Sequence, residues 1–275
     1  MASIERTAYP RFKRNPVAKE LDALYTPSDD ELGFARTLAR KAQPRFGLLL
    51  LLKSFQRLGY FPAVEEIPPA IVQHVRATSG VDADVSPTYA EMRTLYRHHQ
   101  AIRDHLGVSV WGDHGLQVAS EAMATAAEVM DNPADLINVA IEELVHQRIE
   151  LPAFSTLDRL SRRIRTLVNG RFFTAVKDRL SEAERGQLDA LLEIGSSPQK
   201  KSLFFALKQL PKRSSLEHLQ DLLDHIVKLS ETVGADYHLA GVPYVKIKHF
   251  AAEAKALDAA ELKKFTPPKR YVLGF

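Results

Sequence analysis

Apolar residues recur along this chain every three to four positions, the period of an α-helix with one buried face. Phe46 to Leu52 is apolar almost throughout and predicts a turn and a half of fully buried helix, far short of the ~20 residues a bilayer span needs. Several helix starts can be read directly. Ser28 stands before Asp29, Asp30 and Glu31, a capping hydroxyl followed by first-turn acids. Ser86-Pro87 and Asn132-Pro133 each place a cap residue before a proline suited to the first helical position. Ser181-Glu182-Ala183-Glu184 spells a capping box. Ser215, with Glu217 and His218, opens a further helix that ends near Gly234. Period-two runs are missing, and Val108-Ser109-Val110-Trp111 is the one short candidate strand. The pattern predicts an all-α protein made of several small, helix-turn-helix-like modules in tandem.

Glycine, serine and proline interrupt the pattern from Ser79-Gly80 through Val85, at Gly195-Ser196-Ser197-Pro198 and at Gly241-Val242-Pro243. The first two breaks divide the chain into a helical module over residues 1–80, a second over 85–195 that holds a helix-turn-helix-like element, and a helical segment over 199–275. A length of 275 residues suits about two domains on a scale of ~150 residues each. Residues 269–275 read as the opening of another apolar element, so the chain is expected to continue into a downstream domain.

Composition adds limits. Cysteine is absent, which excludes disulfides and thiolate metal sites and suits a reducing cytoplasm. The first twenty residues carry Arg6, Arg11, Lys13, Arg14 and Lys19 with no apolar run, unlike a secretory signal. A net charge of +3 does not by itself imply a polyanionic partner. Its distribution says more: basic residues gather at the N-terminal arm, from Arg159 to Lys177, from Lys200 to Arg213 and from Lys263 to Arg270, while acids collect elsewhere.

The stretch from Leu151 to Arg165 carries the most information. Pro152 is expected to end the helix that starts at Asn132-Pro133, and Ser155 to cap the next one after a tight turn. At about 100° per residue, Leu157, Leu160, Ile164 and Leu167 gather on one side of that helix. Ser155, Thr156, Arg159, Arg162, Arg163 and Thr166 gather on the other. A basic, hydroxyl-rich helix entered through a turn has the chemistry of a major-groove reader, in which arginine bonds guanine O6 and N7 as a fork. An ordinary amphipathic helix with a solvated face has the same pattern.

Other basic segments are less specific. Arg11, Lys13 and Arg14 lie beside Tyr9 and Phe12, which can dock the arm on the first helices while the cations follow a phosphate backbone. Lys246 and Lys248 lie in Tyr244-Val245-Lys246-Ile247-Lys248-His249-Phe250, a candidate second reading helix. Lys200-Lys201 and Lys212-Arg213 bracket the apolar run Leu203 to Leu207. Signs of catalysis are weak. Glu143 and His146 form one Glu-x-x-His, and a di-metal helical site needs two. His98 and His99 are adjacent and point to different sides of a helix. No phosphate-cradling glycine loop or nucleophile elbow is present, so neither a metal nor a nucleotide cofactor is expected.

Several stretches together resemble the N-terminal region of Tn-three family transposases, the enzymes of replicative transposons. They are Tyr25 to Leu32, Leu51 to Pro62, Arg97 to Arg103, Glu150 to Leu160 and Ala251 to Leu257. The resemblance implies a non-catalytic region that binds double-stranded DNA at the terminal inverted repeats through several helical modules. It also implies self-association through the full-length enzyme, and a metal-dependent nuclease domain that lies further along the parent chain. Two other readings of the residues remain beside it: a helical protein-protein assembly module, and a standalone DNA-binding repressor.

Overall fold

A computed structural model describes residues 3–193, 202–208, 219–224, 226–227 and 236–274. Among these the fold is all-α, and Ser109 forms an isolated bridge with Ile149 where the sequence suggests a short strand. The chain divides into two compact units. One holds residues 1–123 and 133–161, the other residues 124–132 and 162–275.

In the first unit, α1 (Ala18–Tyr25), α2 (Asp29–Leu38), α4 (Pro69–Ser79) and α5 (Met92–Leu106) surround α3 (Ala42–Leu58). The reason is compositional. Every residue of α3 from Phe46 to Phe55 is buried, so the helix is covered on all sides, and Phe46 and Leu48 to Leu52 form the centre of the core. Helix α2 starts where its sequence signal places it: Ser28 and Glu31 make both bonds of a capping box. Glu31 is also buried with Lys53, 3.1 Å away, and with the Gln56 amide at 2.7 Å. Burial pushes the Glu31 carboxyl up, but the Ser28 N–H, Gln56 and Lys53 together hold it below the usual range. Helix α4 ends at Gly80 in the left-handed region, at the predicted break.

Ser86-Pro87 does not start a helix. The chain there stays extended, and α5 begins at Met92. Tyr89 accounts for the difference: its ring packs into the core against Gly47, and its hydroxyl lies 2.8 Å from His98 Nδ1. A Cβ on Gly47 would stand 2.8 Å from Tyr89 Cε2. Gly47→Ala is therefore expected to displace the ring and lower stability by about 1–3 kcal/mol. Urea unfolding measures this, and a loss under ~0.5 kcal/mol would show that the ring yields freely.

Helices α6 (Asp113–Ala127) and α8 (Phe154–Arg179) contribute to both units, while α7 (Pro133–His146) belongs to the first and starts at the predicted Asn132-Pro133 signal. The second unit adds α9 (Glu182–Leu191), α10 (Leu203–Leu207), α11 (Tyr244–Ala256), α12 (Ala259–Lys263) and α13 (Pro267–Gly274). Val176, Leu180, Leu188, Phe204, Phe250 and Leu262 are among its core residues. Ser181 and Glu184 make the predicted capping box. Hydrogen bonds from Ser181 and from His238 hold the Glu184 carboxyl down at about 2. Gly241 adopts φ 78° and Pro243 caps α11, which matches the break read there. Tyr271, Val272 and Leu273 bury into this core as part of α13. The Gly195–Pro198 break, the Ser215 helix start and Lys200, Lys201, Lys212 and Arg213 lie outside the described residues.

Candidate nucleic-acid interface

The entry to α8 is built differently from the tight turn expected. Helix α7 stops at His146, well before Pro152. Arg148 takes the left-handed conformation, φ 53°, with bonds from Ile149 N–H to Leu144 O at 2.8 Å and from Arg148 N–H to Val145 O at 3.1 Å. This is a Schellman ending made without glycine. The chain then runs extended. Ser109 N–H donates to Arg148 O at 2.8 Å, Glu150 N–H to Ser109 O at 2.9 Å, and Leu151 N–H to Gly59 O at 2.8 Å. Helix α8 begins at Phe154, with Ala153 O accepting from Thr156 N–H. Ser155 therefore lies inside the first turn and is not the cap.

Along α8, Leu157 and Leu160 are buried and Ile164 is half-buried, as their spacing predicts. Leu167 is 53% exposed, and Val168 is buried in its place. The buried face is centred closer to Asp158 and Ser161, both of which are buried, than the leucine spacing suggests. Ser155, Arg159, Arg162, Arg163 and Thr166 are exposed or at the exposed edge, and Thr156 is beside them. Arg159 and Arg163, one turn apart, meet no carboxylate among the described residues. The Thr166 hydroxyl donates to the Arg162 carbonyl at 2.9 Å, so only its lone pairs face outward. Arg165 turns the other way and donates to Asp131 O at 3.3 Å.

The N-terminal arm is docked by its aromatics. Tyr9 stacks on Tyr60 at 5.2 Å, meets Phe154 edge-on, and donates to Pro152 O at 2.8 Å. Phe12 packs on the first unit's core. Arg11, Lys13 and Arg14 are exposed, and Lys13 pairs with Glu20.

Lys246 departs from its expected role. It is completely buried, with Nζ 2.7 Å from Asp131 Oδ1 and 2.9 Å from Asn169 Oδ1. Its ammonium is held inside the second unit and cannot reach a phosphate. Lys248 is exposed, 5.9 Å over the ring of Tyr244, itself 72% exposed. Sequence reasoning missed Asp131, whose carboxylate also takes His249 Nε2 and Asn169 Nδ2, each at 2.8 Å. One signal pointed to it: Lys246 lies four residues before Phe250, on the face that α11 buries.

The Glu143–His146 pair and the adjacent His98 and His99 form no common metal site among the described residues. Glu143 and His146 are 3.8 Å apart, with the His146 side chain 80% exposed, and no group of three metal-binding side chains occurs among the described residues. His98 bonds to Tyr89, while His99 stacks on Phe61 with centroids 3.8 Å apart.

The family model for the domain of unknown function DUF4158 matches residues 1–164, more than half of the chain. The chain belongs to this family. The match ends within α8 and takes in Arg159, Arg162 and Arg163. This DUF4158 chain is also 26% identical over 259 residues to the transposase for transposon Tn501 of Pseudomonas aeruginosa, covering 92% of itself and 26% of that protein. To the transposase for transposon Tn3926 of Escherichia coli it is 27% identical, over 93% of itself and 26% of the relative. To that for transposon Tn21 of Escherichia coli it is 25% identical, over 90% and 25%. These relatives bear out the resemblance to Tn-three family transposases. The chain spans about a quarter of the length of the curated relatives it matches. No described helix is long and apolar enough to cross a membrane.

Proposed function

We propose that this DUF4158 chain is a cytoplasmic, double-stranded-DNA-binding region of a replicative transposase, and that it grips the terminal inverted repeats of its element without chemistry of its own. The observation that carries the reading is the outer face of α8, where three arginines and neighbouring hydroxyl side chains project from a helix whose opposite face is buried. Arg159, Arg162 and Arg163 are the leading base or phosphate ligands, with Ser155, Thr156 and Thr166 supporting them. Arginine rather than lysine at all three positions favours forked bonding to guanine or phosphate. Arg11, Lys13, Arg14 and Lys248 add bonds to phosphates.

Replacing Arg162 and Arg163 with alanine is expected to cost about 1–3 kcal/mol of binding for each bidentate arginine–base pair that is removed. Melting temperature should barely change, because both side chains are exposed. A gel-shift titration on the element's end and on a scrambled duplex of equal length measures this. Equal affinity of the unmodified chain for both duplexes would leave only charge attraction. Undiminished binding by the double variant would remove α8 from the interface.

A further inference from the structure

Helix α5 carries a second basic face, in the first unit and separate from α8. Arg93 and Arg97 lie one turn apart and are exposed, with Tyr96 between them at 63% exposure. Neither arginine meets a carboxylate among the described residues. Gln100 extends the same side by a further turn. Beyond it the helix neutralises itself: Gln100 donates to Asp104 at 2.7 Å, and Arg103 pairs with Glu150 at 3.0 Å. The unbalanced charge is confined to the first two turns, where the helix dipole is also positive and no side chain caps the N–H groups. Glu91, at the capping position, is the acid beside them. The Gln43 amide donates to Thr88 Oγ1 at 2.9 Å, which ties the start of α3, just after the exposed Arg40 and Lys41, to the segment leading into α5. The opposite side of α5 is anchored, with His98 and Ile102 fully buried and His99 stacked on Phe61.

We infer that this face of α5 is a second docking surface for a DNA duplex, with Arg93 and Arg97 on phosphates and Tyr96 against the sugar-phosphate edge between them. The inference rests on the proposed DNA-binding function and extends it to a surface outside α8. Charge complementarity favours a polyanion. A wide, planar, exposed tyrosine between two forked cations suits a backbone of regularly spaced phosphates better than the scattered carboxylates of a protein surface.

The test is fluorescence anisotropy on a labelled duplex of the element's end, with the whole chain, at salt concentrations from about 50 to ~200 mM. Arg93→Ala with Arg97→Ala should weaken binding by about tenfold or more and reduce the log-log salt slope by ~2, one phosphate per arginine at ~0.9 each. The loss should be similar on a scrambled duplex, because phosphates carry no sequence. Arg93→Lys with Arg97→Lys should retain the slope, and Tyr96→Ala should weaken binding without changing it. An unchanged slope in the double alanine variant, with circular dichroism showing an intact fold, would overturn the inference. If Arg162→Ala with Arg163→Ala still weakened binding in that case, the proposed function would stand without α5. If the unmodified chain ignored DNA, both would fall, and an acidic protein partner would be the reading left for this face.

Discussion

Asp131→Ala is expected to destabilise the second unit by about 3–5 kcal/mol, because it leaves a fully buried ammonium without its counter-charge. Lys246 has two oxygen partners, and the variant removes the charged one, leaving only Asn169 Oδ1. Arg165 and His249 lose a partner in the same step. A surface pair would contribute about 0–1 kcal/mol, but here the carboxylate side chain is 7% exposed and the lysine side chain 0%. The contrast is testable within one double-mutant cycle. Asp131→Ala with Lys246→Met removes both charges and should recover most of the loss, because the penalty comes from the orphaned ion rather than the missing bond. Chemical denaturation supplies the numbers. If the single variant cost less than ~1 kcal/mol, or if the double variant were as damaged as the single, the buried pair would not be what holds this network together. The consequence reaches the proposed interface, since Asp131 anchors α8 from below through Arg165 and Asn169, on the stretch that carries Arg162, Arg163 and Thr166. DNA affinity should therefore fall in Asp131→Ala although that residue touches no DNA.

This network also shows where sequence reasoning stops. Features set by neighbours within one or two turns were readable: the Ser28 and Ser181 capping boxes, the Asn132-Pro133 start, the buried run in α3 and the outward arginines of α8 all follow from local periodicity and backbone hydrogen bonding. Features set by distant partners were not. Lys246 looked like one cation in a basic run, and only Asp131, 115 residues away, turns it into an interior ion pair. Ser86-Pro87 has the signature of a helix start, yet Tyr89 is drawn into the core by Gly47 and His98 before a turn can form. Ser155 has the right residue type for a cap, but the Schellman ending of α7 and the backbone bonds to Ser109 and Gly59 set the chain's path, so α8 starts two residues earlier than a Ser155 cap would place it. At Leu167 the period drifts out of the core and Val168 replaces it. The arginine face survives these corrections because it needs only that α8 bury its leucine side. Which base or phosphate each arginine would meet is a property of the complex, and no spacing encodes it.

Acid should weaken the first unit well above the pH at which carboxylates titrate, and two histidines of α5 set the window. Burial, followed by the charge of Arg97, pushes His98 down to about 4. Burial, then Arg103 and His98, does the same for His99. Both are thus neutral in the folded state across the physiological range. Above the unfolded value of 6.5 neither state binds a proton here, and stability is fully present. As pH falls from about 6.5 towards ~4, the unfolded chain takes up protons that the folded chain refuses, so stability is lost. At about 1.36 kcal/mol per pH unit, each histidine accounts for roughly 3 kcal/mol over that interval. The lowered carboxyls of Glu31 and Glu184 also favour the folded state, but they lose that advantage only below their ordinary value of 4.5. Glu150, raised by burial, works in the opposite direction. The range from about 6.5 to ~4.5 therefore carries the histidine loss, offset in part by Glu150, and the difference between a histidine variant and the unmodified chain isolates the histidine part. His99→Phe keeps a ring to stack on Phe61 and removes one titrating group. Its unfolding free energy should fall less steeply with acid than that of the unmodified chain, by about 1.4 kcal/mol per pH unit. Parallel stability curves for the two proteins between about pH 6.5 and ~4.5 would show that His99 takes up its proton as readily folded as unfolded, and that the Phe61 stack does not hold it neutral.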